Sequence, residues 1–325
     1  MWATPSHPCA NSTCQGLVEG GEEYVVKLYY HKDHIGNFGD DLNLWLWPRV
    51  FGDVFDDDDE TIFIGIGTLL NHAIPPAPHK IVFGSGCGYG EPPIIDGSYN
   101  VYFVRGPRTA GLLGLDPEYT VTDPAILIRD YFKPSTVDNL ISLIPHHFSD
   151  QLADWKAIGR ESGLDYICPA EDVQSVITRI SQSAVVITES MHGAIIADAL
   201  RIPWIPYKCY PHIAADKWWD WCEGHALEYK PVQISPVYDA ERHSNFNAKL
   251  KNKLKRNLKG MNLWRDRWHP APPVKSSPNE FDHTIEQLRA LKNHPQPVFL
   301  SHQSRHDDLF GKVCDRVNKF RSDYL

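Results

Sequence analysis

Short apolar runs bounded by polar turns recur through the first two thirds of the chain. Residues 24–31 (YVVKLYYH), 61–65 (TIFIG), 80–84 (KIVFG) and 101–104 (VYFV) are rich in β-branched and aromatic side chains. Their length and composition predict buried strands. Between the first two, residues 39–47 place Leu42, Trp45 and Leu46 on one face of a helix. Pro48 is predicted to end or kink it, because proline cannot donate the next helical hydrogen bond. A helix over 106–113 follows the fourth run, and 121–127 contain an Asp123-Pro124 turn. Strands are predicted at 141–144, 165–168, 184–188 and 202–207, with helices at 151–162, 170–181 and 192–200 between them. Strand and helix thus alternate, which predicts an α/β protein with open, mostly parallel sheets.

The segment AVVITESMHGAIIADALRIPWIPY (184–207) is the most informative. It reads as strand, small-residue helix and strand, with Thr188, Glu189, Ser190 and His192 on the first turn. Ligands of open α/β sheets bind at such carboxyl strand ends, and a helix start favours an anion. A helix cap beside a surface histidine is the competing structural explanation.

Residues 132–139 contain a proline and no period, and mark a boundary. The chain divides into a disordered lead (1–22), a first α/β unit (23–135), a second (136–228) and a helical extension (229–325). Two units facing one another create a cleft, the usual place for a small-molecule site. In the extension, Phe246, Leu250, Leu254 and Leu258 recur every four residues among six Lys or Arg and no Asp or Glu. A helix over 246–259 either lies on an anionic membrane surface or packs back on the first unit with its lysines in water. Further amphipathic helices carry Phe281, Ile285 and Leu288, then Leu309, Val313 and Val317.

The formal net charge of −9 argues against a nucleic-acid binder, and no stretch is apolar and long enough to span a bilayer. The N-terminal residues lack the basic start and apolar middle of a signal peptide. Seven scattered cysteines, with only Cys9 and Cys14 close together, offer no second Cys or His pair to complete a zinc site. Cys87, Cys168, Cys209 and Cys222 are expected to be reduced thiols, and a cytoplasmic location is expected. The acidic run 56–60 reads as a solvated loop.

Several polar clusters stand at predicted strand ends. Asn37-Phe38-Gly39-Asp40-Asp41 follows the first strand; Asp40 or Asp41 either caps the helix or faces a ligand. The glycine-rich 84–90 (GSGCGYG) opens no helix directly, so it reads as a flexible loop lining the cleft rather than a dinucleotide fingerprint. Arg105 and Arg108 flank a helix start, where the dipole disfavours cations unless an anion or a surface carboxylate meets them. His146 and His147 end the strand of the second unit, and Lys217 begins a cluster, KWWDW, whose tryptophans are more simply packing than a sugar platform.

Taken in order, NFGDDLN (37–43), FGSG (83–86), VRGPRTA (104–110), TDPA (122–125), IPHH (144–147), TESMHGAIIADAL (188–200) and KWWDW (217–221) resemble the polysaccharide pyruvyl transferase family, in particular its acidic-exopolysaccharide branch. The resemblance implies two Rossmann-like domains around a cleft, as in glycosyltransferase B enzymes, with C-terminal helices crossing back. It implies transfer of pyruvate from phosphoenolpyruvate to two hydroxyls of a glycan or lipid-linked oligosaccharide, as a ketal, with release of phosphate. The donor is a substrate, and no metal or other cofactor is implied. Lipid-linked acceptors would place the enzyme at the inner face of the cytoplasmic membrane.

The residues this carries are His192, Asp40 and Asp41 for catalysis. Asn37, Gly39, Arg105, Arg108, His146, His147, Ser190, Gly193 and Lys217 would bind substrate. Many members have Arg-Leu-His where this chain has Ser190-Met191-His192, so Arg105, Arg108, His146 or His147 would replace the missing cation. The competing readings are a nucleotide-sugar glycosyltransferase of the same architecture and a non-catalytic scaffold of envelope assembly.

Overall fold

The structure, a computed structural model, describes residues 25–135, 137, 139–239 and 275–325. The lead 1–22 and the basic stretch 246–259 lie outside the described residues.

Among the described residues ten strands form two sheets, all strand pairs parallel. The first contains β1 (Val26–Tyr29), β2 (Phe55–Asp56), β3 (Thr61–Ile64), β4 (His79–Phe83) and β5 (Tyr99–Phe103), in the order β2-β1-β3-β4-β5. The second contains β6 (Ile141–Ile144), β7 (Asp165–Tyr166), β8 (Val185–Thr188), β9 (Trp204–Lys208) and β10 (Val232–Gln233), in the order β10-β9-β8-β6-β7. The helices are α1 (Phe38–Phe51), α2 (Pro107–Leu113), α3 (His147–Asp150), α4 (Trp155–Ser162), α5 (Val173–Gln182), α6 (Met191–Ala199), α7 (Ala215–Gly224), α8 (Pro278–Asn293) and α9 (Gln303–Tyr324). Among the described residues no helix is long and apolar enough to cross a membrane.

Parallel strands must be covered on both faces, which explains why their apolar runs do not alternate with polar residues. Ile62, Phe63 and Ile64 are all buried, and so are Ile81, Val82 and Phe83. Phe63 lies edge-on to Trp47 of α1 at 5.0 Å between ring centroids and near Phe83 at 5.4 Å. Phe320 of α9 closes this cluster from the far end of the chain, 4.3 Å from Phe51. In the second sheet Trp204 packs on Trp221 and Phe299, while α8 packs on α4.

Several elements depart from the sequence reading. Helix α1 continues through Pro48 to Phe51 instead of ending there. Proline costs about 3 kcal/mol inside a helix, but the turn beyond it buries Val50 and Phe51, each worth roughly 1.5–3 kcal/mol. Its N-cap is Asn37, whose Oδ1 accepts from the Gly39 N–H at 3.2 Å, so neither Asp40 nor Asp41 is the cap. The predicted helix 151–162 begins only at Trp155, capped by Asp154, with α3 a separate turn before it. The edge strands β2 and β10 are two residues each, too short to leave a period. Asp56 of the acidic run thereby belongs to a strand, while the 57–60 side chains remain exposed.

In each sheet the chain reverses its direction of strand addition once: between β1 and β3, and between β6 and β8. Ligands of open parallel sheets bind beyond the carboxyl ends of strands at such points.

Candidate active site

The two reversal points face one another across a cavity of about 490 Å³. The first sheet contributes Tyr29 at the end of β1, His31 after it, Asn37 capping α1, Asp40 of α1, Thr68 after β3, and Tyr89 after β4. The second contributes His146 and His147 after β6, Ser190 and His192 after β8, His212 after β9, and Lys217 of α7.

Three contacts join the halves at the cavity floor. The Phe38 N–H donates to Pro169 O at 3.0 Å, and His147 Nε2 stands 3.1 Å from Asp33 Oδ2. The third is the ring of His192 against Gly39: a β-carbon added there would overlap the imidazole. Glycine is therefore required at 39 by the approach of α6 rather than by its backbone angle. Gly193 is a second such position, because a β-carbon would strike Thr188 Oγ1 and lift α6 from β8.

Helix α6 presents its start to the cavity. Its first internal hydrogen bond runs from Ala194 N–H to Ser190 O, so the earlier N–H groups are unengaged within the helix. The Ser190 side chain makes no capping bond. Thr188 fixes this turn, its Oγ1 accepting from Ser190 N–H at 3.0 Å. Glu189 points away from the cavity and is fully buried. Its carboxylate accepts from the N–H groups of Cys209 at 2.7 Å, Tyr210 at 3.3 Å and His146 at 3.5 Å. One side chain thus fixes the loops after β6 and β9, and burial raises its pKa above the usual carboxylate value.

Lys217, only 8% exposed, donates to Tyr89 OH at 3.0 Å. Around it His146, His147 and His212 all have depressed pKa values, His212 down to about 4. Burial is the main cause for each, and the Lys217 charge adds to it, while Asp33 and Asp40 oppose it at His147. Burial likewise raises the pKa of Asp40, against the pull of His192, His31, the Asn37 amide and His147. Asn37 Nδ2 donates to Asp40 Oδ2 at 2.7 Å. Asp41 lies one residue behind the cavity wall, half-buried, with its pKa also raised by burial. Among the described residues no group of three or more His, Cys, Asp or Glu is placed to bind a metal.

The histidines make a pH prediction. An unfolded histidine titrates near 6.5, and these three bind their protons only at lower pH when folded. The unfolded chain therefore holds the extra protons between pH 6.5 and about 4, so stability falls as pH drops through that window. A bound anion favours their protonated forms and opposes the loss. Inorganic phosphate is expected to raise the melting temperature more at pH 5.5 than at pH 7.5; equal increments would rule out an anion against these rings.

Asn37, Asp40, His146, His147, Ser190, His192 and Lys217 come together at the cavity, with Gly39 and Gly193 setting its helix starts. The arginines do not. Arg105 is 1% exposed and is a strut: Nε to Asp220 Oδ2 at 3.2 Å, Nη1 to Thr68 Oγ1 at 2.9 Å, Nη2 to Cys87 O at 3.0 Å. Arg108 lies at the surface, paired with Glu223 and over the Trp219 ring at 4.8 Å. Of the four cations expected to stand in for an arginine at position 190, His146 and His147 line the cavity. In the glycine-rich 84–90, residues 84–87 form a packed junction, with Ser85 bonding Gly67 O at 3.0 Å and Gly86 abutting the Arg105 guanidinium, while Tyr89 is exposed and lines the cavity as expected of this loop. Trp218 and Trp221 are buried packing residues, as expected, and Cys87, Cys168, Cys209 and Cys222 carry free thiols.

Sequence reasoning missed Tyr29, His31, Thr68 and His212 as cavity residues. It also missed Asp123, whose Oδ2 is 3.7 Å from His192 Nε2. His212 stands beyond a carboxyl strand end, so the rule that singled out His146 could have found it.

Residues 93–209 match the family model for polysaccharide pyruvyl transferase. The chain is also 36% identical over 259 residues, 78% of each chain, to the succinoglycan biosynthesis protein ExoV of Rhizobium meliloti (strain 1021). The chain belongs to the polysaccharide pyruvyl transferase family. It is an enzyme, a pyruvyltransferase.

Proposed function

We propose that this cavity takes phosphoenolpyruvate as donor and forms a pyruvate ketal on two hydroxyls of an exopolysaccharide sugar or its lipid-linked precursor. The observation that carries this reading is the meeting of Lys217 with the start of α6 in one cavity built from both sheets. A small donor carrying both a phosphate and a carboxylate needs such a cluster in a chain of net charge −9. The ExoV relative, a succinoglycan biosynthesis protein, supports an acidic exopolysaccharide as acceptor. The two facing parallel sheets are compatible with a glycosyltransferase B-type architecture, which we adopt for the pair.

In this reading Lys217, Ser190 and the α6 N–H groups hold the phosphate and carboxylate. His192 delivers a proton to the methylene carbon, giving an oxocarbenium-like centre. One sugar hydroxyl attacks it, phosphate leaves, and the second hydroxyl closes the ring. One hydroxyl proton ends on the new methyl group and the other departs with phosphate. Asp40 is the base toward the acceptor, since burial brings its pKa toward working pH. Proton transfers of this kind are each worth about 10²–10⁴ in rate.

The test mixes the full chain with phosphoenolpyruvate and either soluble or lipid-linked succinoglycan oligosaccharides, and measures phosphate and glycan mass. Phosphate release that needs both substrates, with pyruvate gained by the glycan, is expected. Consumption of a sugar nucleotide instead, or donor binding without turnover, overturns the proposal in favour of a glycosyltransferase or a scaffold.

A further inference from the structure

We propose that Asp123 is a positioning residue for His192, fixing which ring nitrogen bears the proton. The inference rests on the proposed role of His192 in proton transfer. Asp123 sits just after the strand-like bridge of Val104 with Thr120, at the start of the 3-10 turn Pro124–Asp130. Its Oδ1 is occupied, accepting from the Ala125 N–H at 3.0 Å. Its Oδ2 is fully enclosed and has no hydrogen-bond partner. His192 Nε2 is likewise enclosed and without a partner. These two atoms are 3.7 Å apart.

A buried carboxylate oxygen without a donor is costly, about 1–3 kcal/mol or more for a charged group. Such an atom directly behind a cavity-lining histidine calls for a functional account. The donor within reach is the N–H of His192 Nε2, and a ring shift of less than about 1 Å brings the pair to hydrogen-bond length. A β-carbon at 39 would overlap His192 Nδ1, so glycine there leaves the ring its room. With Nε2 enclosed and facing Asp123, Nδ1 is the nitrogen left to serve the cavity that His192 lines.

The consequence is a defined proton path. With Nε2–H directed at Asp123, the imidazolium gives its Nδ1 proton to the methylene carbon; the new C–H bond takes the π pair of the enol phosphate. The ring is left neutral, with Nε2–H still facing Asp123 and an Nδ1 lone pair toward the reactants. That lone pair then accepts a hydroxyl proton and the ring is restored. A carboxylate that orients an imidazole and stabilises its charged form is a recurrent device in acid–base sites.

The test substitution is Asp123→Asn. It keeps an Oδ1 to cap Ala125, so the 3-10 turn is preserved, but it places an amide N–H where Nε2–H must point. The amide forces Nε2 to accept, which moves the histidine proton to Nδ1. Three measurements follow on the full chain: the His192 tautomer by ¹⁵N NMR of histidine-labelled protein, kcat and KM, and the double variant with His192→Asn. The expected results are a tautomer switch, a fall in kcat of about 10²-fold or more with KM little changed, and a double variant no worse than His192→Asn alone. Wild-type kcat in Asp123→Asn, an unchanged tautomer, or additive losses in the double variant would overturn the assignment. If His192→Asn itself keeps full activity, the proton-transfer role of His192 fails instead, a distinct outcome. Should Asp123→Asn not fold, Asp123→Glu provides the second reading: it retains the carboxylate, and recovery of the wild-type tautomer is expected of it.

Discussion

Replacing His192 by Asn is expected to lower kcat/KM by about 10³-fold while leaving the chain folded. The residue stands where the two sheets' reversal points converge, its ring wedged against Gly39 and its Nε2 beside Asp123. It is the cavity histidine at the start of α6, and its imidazole can both give and take a proton. Asparagine is smaller than the ring and polar, so it leaves Asp123 a donor while removing the titrating group. Steady-state phosphate release, with melting temperature as the fold control, checks this. Wild-type turnover in a well-folded variant would remove His192 from the chemistry.

The second large effect is one of stability. Arg105→Ala is expected to cost about 3–5 kcal/mol, the range for removing one partner of a buried ion pair. The guanidinium ties three places together: Thr68 after β3, Cys87 after β4, and Asp220 of α7. Asp220 in turn accepts from Thr109 N–H at 2.9 Å and from its hydroxyl at 2.7 Å. Removing Arg105 leaves that carboxylate buried with one partner fewer. Lysine would not rescue it, because a single ammonium cannot reproduce the three-way planar fork. A urea midpoint lowered with unchanged slope is the expected signature. A variant of normal stability that binds phosphoenolpyruvate poorly would instead return Arg105 to the donor site.

The contrast between these residues shows what a sequence can disclose. The parallel α/β character was legible because buried strands such as 61–64 and 185–188 are uninterrupted apolar runs. His192, His146 and Asp40 were legible because each follows a strand's carboxyl end, where ligand sites concentrate. Arg105 obeys the same positional rule and yet points inward. Its direction is decided by Asp220, 115 residues later, and no local pattern encodes that pairing. Asp123 read as a turn residue because one of its oxygens is indeed a cap; the other faces a histidine 69 positions away. The persistence of α1 beyond Pro48 depended on Phe320, whose ring meets Phe51 from the last helix.

That last contact has a bearing on how the chain matures. Tyr102 OH donates to Asp323, made 221 residues later, and Phe320 completes the aromatic cluster of Phe51, Phe63 and Phe83. A nascent chain emerging from the ribosome therefore carries the first sheet with an apolar gap until α9 has been made. Contacts of such long sequence separation slow folding and prolong exposure of sticky surface. Chaperone demand during synthesis should accordingly be set by the arrival of α9, and removal of α9 should damage the first sheet before the second.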